Sequence, residues 1–176
     1  MKIGRPSPGE YDSAFERYVK RVPEDDALPT LTRQPGEIRA AVGALAPERA
    51  GYRYAPGKWS IRELIGHVTD SERVFGYRAL CVARGESAAL PGFEQEDYAA
   101  NADHECYSLP DLVDEFDAVR RANVSMLAHM NERAILRIGT ANGLPISVRA
   151  LAFVMVGHVR HHLGVLADRY GIGSAP

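Results

Sequence analysis

Cysteine is scarce in this chain, with only Cys81 and Cys106 among 176 residues. Two cysteines make no disulfide framework, and a reducing, cytoplasmic setting is the simplest expectation. Charge of one sign is not in excess either. Twenty-one Lys and Arg stand against 23 Asp and Glu, a net charge of -2, so nothing favours nucleic acid as a partner. We find no apolar run long enough to span a bilayer. The opening MKIGRPSPGEYD lacks the apolar stretch of a signal peptide. No membrane partner is therefore expected. Repeats, low-complexity tracts and convincing period-two alternation are missing too, and the last absence argues against a sheet.

What is present suits one core. Hydrophobic residues make up 45% and charged residues 25%, and the length fits a single domain over residues 1–176. Gly and Pro punctuate the chain around 3–9, 22–29, 50–57, 85–92 and 139–145. The segments between them carry helical periodicity. The clearest start is KWSIRELIGH, where Ser60 and Glu63 form an S-x-x-E capping box. That helix should run over 60–84 and stop at Gly85. Its stripe is Leu64, His67, Ser71, Val74 and Arg78. A further helix should start at Ser108, with stripe Leu112, Phe116, Val119, Asn123, Met126 and Met130. The last should run from Ser147 to about Tyr170, with stripe Leu151, Met155, His158, His162, Val165 and Arg169.

An earlier helix is spaced through Leu28, Leu31, Ile38, Val42 and Leu45. Pro35-Gly36 in its middle predicts a kink or a late start. A short helix near 10–21 should precede it, with the segment 1–24 packing outside. The expected fold class is all-α: a four-helix bundle in which the long link 85–108 crosses the bundle or lies over one end as a lid.

Three of six histidines fall within GHVRHHLGVL. His158 and His162, four apart on one seam, stack on a helix and can share one metal ion. The other reading makes them core histidines with hydrogen-bond partners. Val159 stands where the H-E-x-x-H metalloprotease motif has Glu, which argues against a zincin mechanism. His161 lies about 100° away from His162 and reads as peripheral. His67 occupies a seam on another helix. It can join the pair, as bundles bring side chains of separate helices together, or it can simply face a neighbour such as Asp70. His104 and His129 read as surface residues. Cys81 reads as a small core side chain, roughly 21 Å along the helix from His67.

The segments KWSIRELIGHVTDSERVFGYRAL, LPGFEQEDYAAN and TANGLPISVRALAFVMVGHVRHHLGVL resemble the DinB-like superfamily of metalloenzymes, over roughly residues 25–170. The resemblance implies a four-helix bundle with an unusual crossover. It also implies a divalent metal, zinc or nickel, held by His67, His158 and His162. Relatives include bacillithiol S-transferases, mycothiol-dependent isomerases and proteins described as metal-dependent hydrolases. Two features depart from the pattern: Gly164, where many relatives carry Gln, and Pro35-Gly36 in the first helix.

The function expected is a thiol S-transferase, in which the metal activates a low-molecular-weight thiol or a water to attack a small-molecule electrophile. The alternatives are a metal-dependent hydrolase and a non-catalytic, stress-associated metal-binding module. Asp70, Glu72 and Tyr77 lie near His67 in sequence, but none is assigned as a general base, and each reads better as exposed or packing. Arg78 and Arg169 are positioned to bind an acidic substrate group, although solvated helix ends explain them as well. A homodimer through an outer bundle face is a further expectation.

Overall fold

The computed structural model of the chain describes residues 2–173. Residues 1 and 174–176, the ends of the span expected as one domain, lie outside the described residues. The helices are α1 (Glu16–Val19), α2 (Ala27–Val42), α3 (Ile61–Arg84), α4 (Gln95–Asn101), α5 (Leu109–Ala128) and α6 (Glu132–Ile135). A hairpin of β1 (Ile138–Ala141) and β2 (Leu144–Ser147) then leads into α7 (Val148–Tyr170). The long helices α2, α3, α5 and α7 form a four-helix bundle. Both α2 and α3 pack on α5 and on α7. Thus α2 and α3 lie across one diagonal, and α5 and α7 across the other.

Local chemistry sets the helix ends. Ser60 accepts from the Glu63 amide at 3.2 Å, and the Glu63 carboxylate accepts from the Ser60 amide at 2.6 Å. Gly85 closes α3 in the left-handed region, φ 86°, where a Cβ would be costly. Ser108 caps α5, Ser147 caps α7, and Gly171 ends α7 at φ 65°.

Helix α2 differs from expectation. It starts at Ala27 and runs through Pro35 without a break. Proline has no N–H for the Leu31 carbonyl. Arg120 from α5 supplies a donor instead, with Nη1 3.4 Å from Leu31 O.

The expected helical bundle is present, and one short hairpin is added to it. Its strands have four residues each, too few to show period-two alternation. Its turn is Asn142-Gly143, with φ 54° and 73°, the pairing that a two-residue hairpin loop requires. The crossover is pinned to this hairpin, since Leu90 N donates to Thr140 O and Asn142 N to Leu90 O, both at 2.9 Å.

Helix α7 corrects a second expectation. By length and composition it is apolar enough to cross a membrane. In the fold that apolarity faces protein: 67% of its most apolar stretch is buried, and residues 150–159 are all buried. It is the central core helix, and α1 packs across it. A Cβ at Gly157 would come within 2.1 Å of Tyr18 O, so only glycine permits that crossing.

The bundle interior also holds a polar chain through all four long helices. Glu72 of α3 accepts from Arg120 of α5 at 2.8 Å. Arg120 donates to Gln34 of α2 at 2.7 Å, and Gln34 Nε2 to Val156 O of α7 at 2.9 Å. Asn123 donates to the second Glu72 oxygen at 2.7 Å. Arg120 and Gln34 are fully buried and Glu72 is 2% exposed. The sequence stripe on α5 had not included Arg120. Glu72→Met should leave a buried, unpaired guanidinium and lower stability by about 3–5 kcal/mol. The double variant Glu72→Met/Arg120→Met should lose clearly less than the two single losses added together. Urea denaturation of the four proteins checks this cycle.

Candidate metal centre

His67 sits about two turns into α3, its register set by the Ser60 cap. His158 and His162 stack on α7 one turn apart, as the i, i+4 spacing requires. Their Nε2 atoms converge. His158 Nε2 lies 3.2 Å from His67 Nε2 and 3.2 Å from His162 Nε2. All three candidate ligand nitrogens lie within 4.8 Å of one another. His67 and His158 are buried, and His162 is half-buried at the mouth of a cleft.

This arrangement is difficult to satisfy with hydrogen bonds alone. A neutral imidazole nitrogen either donates one proton or offers one lone pair. His158 Nε2 therefore cannot serve both neighbours fully. A cation accepts all three lone pairs at once. Two nitrogens bound to a tetrahedral zinc at about 2.0–2.1 Å stand roughly 3.3 Å apart, close to the observed spacing.

The imidazoles are also held neutral, the form a metal requires. Burial, then the charges of His161 and His104, pushes the His67 pKa down to about 4. Burial, followed by His162, His67, His161 and Arg120, holds His158 well below the ordinary value. His162 is lowered in the same way by burial, His67, His161 and Arg17.

The surroundings are aromatic. The Trp59 ring lies 4.6 Å from that of His67, and Tyr18 and Phe75 meet His158 edge-on at 5.5 and 5.4 Å. Ser71 Oγ is 3.5 Å from His67 Nε2. The cleft beside His162 has a volume of about 200 Å³ and is lined by Tyr54, Lys58, Trp59, Glu96 and Tyr170 among others. Trp59 Nε1 donates to Glu96 Oε2 at 3.1 Å, which clasps α4 of the crossover over the mouth. The Tyr170 hydroxyl donates to Trp59 O at 2.6 Å, and burial raises its pKa to about 12, so it is a fixed strut rather than an acid or base. A larger cavity, about 410 Å³ between α2, α5 and the start of α3, is lined by none of the histidines.

The remaining candidates fall elsewhere. His161 is half-buried against Tyr18, outside the cluster. His129 is exposed and bonds Ser125 O. His104, expected at the surface, is 8% exposed. The cause is Gly66, where a Cβ would come within 2.2 Å of His104 Nε2. Glu72, read as exposed or packing, is the buried partner of Arg120. Asp70 is half-buried beside Arg73 at 3.6 Å, and Tyr77 and Arg169 are exposed. Arg78, read as a solvated end, is buried. Cys81 packs, half-buried, against the core. Sequence reasoning did not find Trp59 as a wall of the site or Glu96 as its clasp. Gly164 stands in open space, so no side chain from that position supports His162, whose buried Nδ1 has no partner among the described residues.

Comparison with known proteins places this geometry. The sequence profile of the DinB superfamily matches residues 30–166. The chain belongs to the DinB superfamily. Among curated proteins it is 28% identical over 140 residues to "Putative metal-dependent hydrolase OB0413" of Oceanobacillus iheyensis, covering 77% of each chain. It is 23% identical over 139 residues to a "Putative metal-dependent hydrolase" of Geobacillus thermodenitrificans, again covering 77% of each. Among solved structures it resembles YfiT from Bacillus subtilis, described as a probable metal-dependent hydrolase with an unusual four-helix bundle topology. That match has a TM-score of 0.75 at 18% identity, over 96% of this chain and 95% of YfiT. The four-helix-bundle fold is thus shared with YfiT.

The neutral imidazoles give this histidine cluster a pH signature in the metal-free protein. Histidine in the unfolded chain titrates near 6.5, and His67 in the fold near 4. Between those values the unfolded state binds more protons, so stability is full above the window and is lost as pH falls through it. Thermal melts of chelator-stripped protein should show Tm dropping from pH 6.5 to 4. His67→Gln should flatten that slope.

Proposed function

We propose that this chain is a divalent-metal-dependent enzyme whose ion is held by His67, His158 and His162. The observation that carries the reading is the convergence of three neutral, buried imidazole nitrogens beside an open cleft. Three protein ligands leave a position for an exchangeable partner, the layout of catalytic rather than structural sites. When bound, the ion supplies Lewis-acid chemistry and lowers the pKa of a coordinated water or thiol. Zinc and nickel are the ions proposed, both compatible with imidazole ligands.

The chain's own residues do the rest. His67, His158 and His162 present lone pairs from two helices fixed by the core. Trp59, Tyr18 and Phe75 exclude water around them, which strengthens electrostatic interactions inside. Tyr54, Trp59 and Tyr170 offer an aromatic bed for a substrate, and Lys58 offers a mobile cation at the rim.

We favour attack by a low-molecular-weight thiol on a small electrophile. Glu96, the carboxylate among the residues lining the cleft, is turned toward Trp59 by the bond to its Oε2, and none of its bonds among the described residues aims it at the histidines. A thiol, with an ordinary pKa of about 8.5, needs less help to ionise than water at about 15.7. Hydrolysis is the second reading, favoured by the names of both curated relatives.

Elemental analysis of protein expressed with zinc and nickel should find about one divalent ion per chain. His67→Ala, His158→Ala and His162→Ala should each cut occupancy several-fold, and His161→Ala should leave it nearly intact. Metal-loaded and stripped protein should then be compared in thiol-conjugation and ester-hydrolysis assays. Metal-dependent conjugation supports the transferase. Hydrolysis alone replaces it with the second reading, and an absence of metal removes both.

A further inference from the structure

Two arginines are buried among the described residues, and only one of them has a counter-charge there. Arg120 is paired with Glu72. Arg78, 4% exposed on α3, has none among the described residues. Burial alone acts on its pKa, pushing it down, and no acidic neighbour pulls it back. Its Nη2 donates to Pro91 O at 2.8 Å, and its guanidinium carbon stands 5.9 Å from the Phe93 ring centre. A guanidinium has five N–H donors. The others are neither bonded to protein nor sealed from solvent. They open on a cleft of about 310 Å³ that Arg78 helps to line.

That cleft is separate from the histidine centre. It lies about three turns further along α3, roughly 16 Å by helical rise. Val74 and Tyr77 of α3 form one wall, Leu90 and Phe93 of the crossover another, and Tyr98 of α4 the rim. No carboxylate lines it. Arg73 also reaches it, but that charge is already met by Glu115 at 2.6 Å and Asp70 at 3.6 Å. Arg78 is not the sole tie on the crossover wall. The two bonds between Leu90 and the hairpin also hold it, and Gly92 lies so close to Asn142 that a Cβ would come within 2.3 Å of its Oδ1.

A buried charge normally has a partner. Here the partner's place is an aromatic-walled opening. We propose that this cleft binds a small organic monocarboxylate with a flat apolar body, its carboxylate on the free edge of Arg78 and its body between Tyr77, Phe93 and Tyr98. The guanidinium fork matches a carboxylate, and the walls suit a planar group. A single unpaired cation suits one negative charge better than a phosphate dianion. The site stands apart from the metal-centre reading and does not depend on it.

The test is a ¹⁹F NMR titration of purified protein with 4-fluorobenzoate, metal-loaded and chelator-stripped. Saturable binding should appear in both forms. Arg78→Met should weaken it about tenfold or more, as loss of a charge-assisted hydrogen bond implies. Tyr98→Ala, at a half-exposed position, should weaken it without loss of fold. The neutral 4-fluorobenzyl alcohol should bind far more weakly and respond little to Arg78→Met. Arg78→Met should keep or raise Tm, because it removes an unpaired buried charge, whereas a purely structural arginine would lower it. If Arg78→Met fails to fold, Arg78→Lys, which keeps the charge but loses the fork, should weaken 4-fluorobenzoate binding. No saturable binding, binding indifferent to both Arg78 variants, binding that vanishes on stripping the metal, or tighter binding of 4-fluorophenyl phosphate would each overturn the proposal.

Discussion

The ion pair between Arg120 and Glu72 is the constraint on which the bundle turns. A guanidinium with no exposure is tolerable only if a carboxylate and further acceptors reach it. Those partners come from α3 and α2, and Gln34 passes the chain of bonds to the backbone of α7. Every long helix is therefore tied to one buried point. The tie also reaches toward the metal centre from two sides. Glu72 follows Ser71, whose hydroxyl faces His67, and Val156 precedes His158 by half a turn. The same guanidinium that lets α2 continue through Pro35 helps, by its charge, to keep His158 neutral. Packing, helix continuity and ligand protonation thus share one residue.

The histidine cluster is precise because it is assembled on helices rather than loops. The Ser60 capping box fixes the register of His67, and the buried first half of α7 fixes His158 and His162. The loops contribute selectivity instead. The crossover is strapped to the hairpin at Leu90 and clasped to Trp59 by Glu96. One connection therefore shapes both the mouth of the histidine cleft and the walls of the Arg78 cleft.

Much of this was legible in the sequence where the physics is local. The capping box, Ser108, Ser147, Gly85 and Gly171 marked the helix ends to within a residue or two. The step of four between His158 and His162 showed that they share a face, and it separated His161 from them. What could not be read was non-local. Nothing near Arg120 announces that its partner lies on another helix at Glu72. His104 looked like a loop residue because its burial depends on the missing side chain of Gly66. His67 joined the pair on family resemblance, since spacing alone left its partner open. The hairpin was overlooked because four-residue strands carry no periodicity, although Asn142-Gly143 was a turn signal in plain view.

The diagonal placement of sequence neighbours bears on how the chain reaches this state. In an up-and-down bundle, each short loop lets two successive helices zip together soon after they form. Here α2 cannot zip onto α3, nor α5 onto α7, and the α3–α5 interface waits on a long crossover. The contacts between long helices must close large loops, which raises the entropic barrier. A helical protein of this design should fold more slowly than an up-and-down bundle of its length, with the apolar face of α7 uncovered until the elements that pack on it arrive.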